Sequence, residues 1–142
     1  MIDVTLEAPP EVGAPLAEVV RWTCGRLGVA RASVGLMVVG PDEMARVNGE
    51  HRGKAEPTDV LAFPVDGPEV LDGEWPAEGP PPELGDVIIC PEAADLPLET
   101  LAVHGLLHLL GHDHETDAGE MLELQDRLLE EWAARGRSRC RG

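Results

Sequence analysis

Four of the five histidines in this 142-residue chain lie within eleven positions, at His104, His108, His112 and His114. His104 and His108 are four residues apart in a segment of helical pattern, so both imidazoles point to one side of a helix, one turn apart. Gly111 is typical of a helix end, and a turn there lets His114 return over the first two histidines. The pattern H-x-x-x-H-x-x-G-x-x-H therefore predicts one divalent metal ion, expected to be zinc, on His104, His108 and His114.

Three histidine ligands leave a fourth position of the metal open, which is typical of catalytic rather than structural zinc. A zinc ion in such a site lowers the pKa of bound water to about 7 and polarises a phosphoryl oxygen. His112 is the alternative third ligand, eight residues after His104. Gly111 argues against His112, because the helix is expected to end before it. His112 would then line the site.

The same ligand and glycine spacing occurs in the metzincin proteases, whose motif is H-E-x-x-H-x-x-G-x-x-H. In this chain the position after the first histidine is Gly105. The glutamate that activates water for peptide cleavage is therefore absent. The spacing predicts a hydrolytic metal site and disfavours a protease, although a metal-dependent hydrolase of another class, such as a metalloprotease, remains the alternative.

The charge balance is strongly acidic, with 27 Asp and Glu against 11 Lys and Arg and a net charge of −16. This argues against a general nucleic-acid binder, because phosphate contacts need Lys and Arg. The basic residues are clustered near the C-terminus and in the stretch His51, Arg52 and Lys54. A local basic cleft can therefore still hold nucleic acid, weakly or with the help of a protein partner.

The chain has no apolar run near the roughly 20 residues that cross a bilayer, and its N-terminus reads as a strand rather than a signal peptide. We therefore expect a cytoplasmic protein with no membrane partner and no nucleotide cofactor. The three cysteines, Cys24, Cys90 and Cys140, are odd in number and widely spaced. They predict neither a disulfide framework nor a cysteine zinc site.

Hydrophobic periodicity predicts the elements that position the histidines. We expect strands at 2–7, 34–39, 60–63 and 84–90. Helices are expected from Pro15 to Gly28, from Asp42 to Gly49, and from near Pro97 (capped by Asp95) to Gly111. A last helix should follow a cap at Thr116, with Met121, Leu124, Leu128 and Trp132 on one stripe. This order predicts a single α+β domain over 1–142, with a small mixed four-stranded sheet packed by helices and a zincin-like metal site on a helix and the following turn. Residues 66–82, rich in Gly and Pro, are expected to form an exposed loop, and 136–142 a flexible basic tail.

The run from His104 to His114 resembles the signature of the YbeY family of bacterial ribosomal-RNA maturation endoribonucleases. Two further stretches agree with that family in the same order, namely 48–54 leading to 57–64, and 84–90. Three features depart from the family pattern. His112 stands where the family often has Tyr, the segment between Cys90 and His104 is shorter than usual, and the loop at 66–82 is unusually rich in Pro and Gly.

The resemblance implies a zinc-dependent endoribonuclease, a phosphodiester hydrolase that acts on single-stranded RNA. It also implies maturation of the 3′ end of 16S rRNA, a role in ribosome quality control, and the ribosome or its small subunit as partner. One Zn²⁺ per chain would lie on His104, His108 and His114, and the family's key arginine falls on Arg52.

Arg52 suits a phosphate clamp, because its planar guanidinium binds phosphate through two hydrogen bonds and stays charged. His51 and Lys54 could add charge along the RNA path. The general base stays open: Asp113, Glu115 and Asp86 are candidates, and direct activation by the metal without a carboxylate base is the further alternative. A non-enzymatic alternative also stays open, an assembly factor that binds the ribosome and uses zinc only for structure.

Overall fold

The computed structural model describes residues 2–29, 31–53, 58–66, 79–112 and 119–141, with the side chains of 10, 51, 52 and 136–141 outside that description. Along the chain its elements are β1 (Ile2–Glu7), α1 (Pro10–Arg26), β2 (Ala32–Val38), α2 (Pro41–Arg52), β3 (Val60–Pro64), β4 (Glu83–Ile89), a short 3-10 helix (Pro91–Ala93), α3 (Leu98–Leu109) and α4 (Glu120–Arg141).

The four strands form one sheet in the order β1-β2-β4-β3. β1, β2 and β4 are parallel, and β3 pairs antiparallel with β4 at one edge. The predicted α+β domain with a small mixed four-stranded sheet is therefore confirmed. None of the helices in the described ranges is long and apolar enough to cross a membrane.

Helices cover both faces of the sheet, which explains the unbroken apolar run in β4. Val87 and Ile89 lie in the main core with α1, α3 and α4. Ile88 and Cys90 point the other way, into a smaller cluster with Met44 of α2. A strand buried on both faces loses the alternation of apolar and polar residues.

One helix begins at a different residue from the prediction, and another begins where it was predicted but without its predicted cap. α1 begins at Pro10 rather than Pro15, since Pro10 occupies a first-turn position where its missing N–H costs nothing, and the exposed Pro15 lies inside the helix. α3 begins after Pro97, and no side chain caps it, so the predicted Asp95 cap is wrong. The fixed φ of Pro97 sets the start of this helix instead.

α2 is longer than predicted and ends at Arg52 rather than near Gly49. Gly53 terminates it in the left-handed conformation, with φ of 73°, which is the usual role of a glycine after a helix. Met44 and Val47 lie on the buried face of α2. The basic stretch that was expected in a turn therefore starts on the last turn of a helix.

α4 carries the predicted apolar stripe, with Met121 and Leu128 buried and Leu124 and Trp132 packed against them. The helix continues to Arg141, so the segment expected to be a flexible tail is helical up to that residue. No proline interrupts it, and the single Gly136 costs a helix only about 1 kcal/mol. The predicted cap Thr116 and residues 67–78 of the predicted loop lie outside the described residues.

Candidate metal centre

α3 lies unusually close to the sheet at Gly105. A Cβ at this position would come within 2.6 Å of Val87 Cγ1 and 3.4 Å of Val60 Cγ2. Most of α3 around Gly105 is buried, whereas His104 and His108 lie half-buried on its remaining face. The close approach of helix and sheet therefore fixes how far the two imidazoles lie from the sheet.

The two histidines converge through their outer nitrogens. His104 Nε2 and His108 Nε2 are 3.2 Å apart, and the rings are nearly perpendicular, with centroids 4.8 Å apart. Two imidazole nitrogens bound to one tetrahedral zinc at 2.0–2.1 Å would be separated by about 3.3 Å. The pair therefore has the separation that two ligands of a single ion require.

Gln125 of α4 holds the inner nitrogen of His104. Its Oε1 lies 2.7 Å from His104 Nδ1, and the glutamine side chain is buried, with 7% of its surface exposed. Metal-binding histidines commonly donate their second ring nitrogen to such a partner. The sequence marks Gln125 only as a polar residue on the apolar stripe, four residues after Met121, and does not by itself connect it to the histidines.

The chain turns after the second histidine. α3 ends at Leu109, Gly111 has φ of 98°, and the N–H of His112 donates to Leu107 O at 3.0 Å. This hydrogen bond closes the helix end as a glycine cap does. The expectation that the helix stops before His112 is therefore confirmed.

The remaining predicted ligand and the predicted arginine are only partly placed. His114 lies outside the described residues, and across the described ranges no three His, Cys, Asp or Glu side chains are grouped to hold a metal ion. Arg52 is the last residue of α2, but its side chain is outside the description. The third ligand and the arginine thus stay predictions.

Among the general-base candidates, Asp86 lies on the wrong side of the sheet. Val87 faces Gly105 of α3, so the preceding residue points to the opposite face. There the Asp86 carboxylate leans over Gly35 and lines a shallow pocket of about 210 Å³ with Thr5 and Ser33. Asp86 is therefore separated from the histidines by the sheet itself, while Asp113 and Glu115 lie outside the described residues.

The chain is similar to known proteins along most of its length. The family model described as Endoribonuclease YbeY matches residues 11–133. Proteins named Endoribonuclease YbeY from a Nocardioides species and from Nocardia farcinica are 38% and 41% identical, over 93% and 82% of this chain and 100% and 71% of their own lengths. The solution structure of TM1509 from Thermotoga maritima superposes with a TM-score of 0.59 at 28% identity, covering 98% of this chain and 93% of that one. The chain therefore belongs to the YbeY family of endoribonucleases.

Proposed function

We propose that this endoribonuclease depends on one zinc ion, cuts single-stranded RNA, matures the 3′ end of 16S rRNA and takes part in ribosome quality control in the cytoplasm, with the small ribosomal subunit as its partner. Family membership supports ribonuclease chemistry. The observation that carries the metal is the convergence of His104 Nε2 and His108 Nε2 at 3.2 Å.

The donor set fits zinc, because neutral imidazole nitrogens are among its preferred ligands. His104 and His108 would hold the ion from α3, and His114 would close the set from the following turn. Zinc bound there would supply a Lewis acid and a bound water with a pKa near 7. The chain's own contribution is to hold both imidazoles at ligand separation, with His104 anchored to Gln125.

Gly105 supports RNA rather than peptide as the substrate. A protease of this motif needs a glutamate after the first histidine. In this fold that position faces Val87 at a distance too short even for a Cβ. A glutamate would have to push the helix off the sheet, so this packing is incompatible with the protease's general base.

The outer edge of β3 also argues against a peptide. The bonds from Cys90 N–H to Asp59 O and from Val65 N–H to Leu84 O show that odd-numbered residues face β4, so Val60, Ala62 and Pro64 present their backbone outward. The Val60 N–H donates to the Asp59 carboxylate at 2.8 Å, and Pro64 has no N–H.

Only Ala62 is thus left with an outward N–H along this strand. An extended peptide that adds to a sheet edge needs donors and acceptors at alternate residues. With one backbone donor beside the outward carbonyls, this edge offers an added peptide strand fewer hydrogen bonds than an intact edge strand does.

Arg52 is proposed to clamp the phosphate at the cleavage site. Arg52 is the last residue of α2, next to the left-handed Gly53, and so precedes the stretch of chain that leads to β3. Replacing Arg52 by Ala should abolish RNA cleavage while the purified protein keeps one zinc per chain. Unchanged cleavage would remove Arg52 from the mechanism.

The metal is tested by analysis of the purified protein together with single substitutions of the histidines. His104→Ala, His108→Ala and His114→Ala should each lose zinc and RNA cleavage, whereas His112→Ala, the matched control, should keep zinc. Loss of zinc in His112→Ala and its retention in His114→Ala would reassign the third ligand.

The fold and the substrate are checked in the same series. Loss of activity in a folded His114→Ala protein supports catalysis, and unfolding supports an assembly factor with structural zinc. Digestion of casein in place of single-stranded RNA would overturn the ribonuclease proposal.

A further inference from the structure

We infer that Gln125 is a positioning residue that fixes His104 in the Nδ1–H tautomer before any metal is bound. The inference deepens the proposed zinc function and rests on it for its purpose, but the tautomer itself is a property of the metal-free chain. Its basis is the bond between two groups that are twenty-one residues apart in sequence and meet through α3 and α4.

The 2.7 Å contact joins His104 Nδ1 to an amide oxygen. An amide oxygen can only accept, and a neutral imidazole carries one N–H. The hydrogen must therefore be on Nδ1, which leaves the lone pair on Nε2. That lone pair points at His108, where the metal is proposed to bind, so His104 is already in the form that a ligand requires.

The second histidine is in the opposite state. Two facing lone pairs at 3.2 Å would repel, so the contact between His108 Nε2 and His104 Nε2 needs a hydrogen on one of them. With His104 fixed by Gln125, that hydrogen belongs to His108, whose Nε2–H donates to His104. His108 must then move its hydrogen to Nδ1 before it can coordinate, whereas His104 need not change.

The position of Gln125 explains why this choice is firm. The side chain is 7% exposed and lies on the stripe of α4 between Met121 and Leu128, both buried. A buried amide without a partner costs free energy, so breaking the bond to His104 would be penalised on both sides. A glutamine also brings no charge into this packed helix interface, as a glutamate would.

Two nearly isosteric substitutions separate positioning from packing. Gln125→Met keeps the volume but removes the acceptor, and Gln125→Glu keeps an acceptor for the same N–H. Leu128→Met, one turn further along the same buried stripe, controls for a change of packing alone. Circular dichroism and thermal unfolding would verify that all three variants fold.

The direct readout is the ¹⁵N chemical shifts of the imidazoles in metal-free protein. We expect Nδ1–H for His104 and Nε2–H for His108 in the wild type, the same for Gln125→Glu and Leu128→Met, and loss of the fixed His104 tautomer in Gln125→Met. An Nε2–H tautomer at His104 in the wild type would mean that the amide is turned the other way and would overturn the inference.

Competition with a zinc chelator gives the second readout. Removing such a partner typically weakens metal binding 10- to 100-fold, and we expect this loss in Gln125→Met alone. Wild-type affinity in Gln125→Met would refute a positioning role. If the wild type binds no zinc at all, the proposed function fails, while the imidazole shifts still decide the inference.

Discussion

Replacing Gly105 by Ala tests whether the close packing of α3 on the sheet supports the histidine pair. The added Cβ would lie 2.6 Å from Val87 Cγ1 and 3.1 Å from Val87 Cγ2. Carbon atoms pack best at about 3.5–4.0 Å, so the contact is roughly 1 Å too short. Val87 is fully buried and its β-branched side chain is stiff, so the strain falls largely on the helix.

Two opposing effects determine the size of the change. Overpacking a core by a methyl group costs about 1–3 kcal/mol. Alanine in place of glycine inside a helix returns about 1 kcal/mol. A contact roughly 1 Å too short falls in the upper part of the overpacking range, at about 2–3 kcal/mol. We therefore expect a net loss of about 1–2 kcal/mol in the free energy of unfolding, which lowers Tm by roughly 3–8 °C for a chain of this size.

Gly25→Ala is the matched control, because Gly25 is also helical, in α1, but exposed, with no atom within 4 Å of its added Cβ. It should leave stability unchanged or raise it by up to about 1 kcal/mol. Urea unfolding of both variants, followed by circular dichroism, measures the difference between them.

A double-mutant cycle with Val87→Ala identifies the clash. Truncating Val87 removes both atoms that the new Cβ would meet, so the double variant should be more stable than the sum of the single losses by about 1 kcal/mol or more. Additive losses, or a Gly105→Ala protein as stable as Gly25→Ala, would refute the packing argument.

Three further predictions concern the rest of the fold. Burial raises the pKa of Cys24 from 9.0 to about 12. Because the thiolate is the form that reacts, alkylation of Cys24 at pH 8, followed by mass spectrometry, should be about a thousandfold slower in the folded than in the unfolded protein. Equal rates would contradict the burial. Trp132→Ala removes an edge contact with Trp22 and the ring under Arg135, and it should lower the free energy of unfolding in urea by about 2–3 kcal/mol. Arg26→Ala breaks only an exposed ion pair with Glu131 and should cost under about 1 kcal/mol. A larger loss in Arg26→Ala than in Trp132→Ala would be inconsistent with the packing. Gly85→Ala should lower the free energy of unfolding by about 3 kcal/mol or more, because Gly85 has φ of 137° and an added Cβ would lie 2.2 Å from the Phe63 carbonyl oxygen. A soluble Gly85→Ala protein with the Tm of the wild type would disprove this expectation.

Local pattern was sufficient to predict most of the architecture. The alternation at 2–7 predicted β1, and the apolar stripe led by Met121 and Leu128 predicted α4. The spacing of His104 and His108 predicted two converging imidazoles, and the structure confirms their approach. These features depend on residues within a turn or two of each other, so the sequence contains what determines them.

The features that were missed depend on choices that a short stretch of sequence leaves open. α2 ends at Arg52 rather than near Gly49, because Gly53 is the glycine that takes the left-handed conformation, although any glycine can adopt it. Asp86 was one of three candidate bases, yet only the pairing of β4 with its neighbours shows that it faces away from the histidines. Strand order is a long-range property, and a short sequence window does not contain it.

Gly105 and Gln125 together show how the two kinds of information combine. In the sequence, Gly105 occupies the position at which a metzincin protease has its glutamate. In the structure, it is the point at which α3 approaches Val87. Gln125 is a polar interruption of an apolar stripe, and the structure gives it a partner in His104. One residue sets the distance of the histidine helix from the sheet, and the other sets the orientation of its first imidazole. Because both constraints act before a metal arrives, Gly105→Ala and Gln125→Met should each weaken zinc binding without removing a ligand.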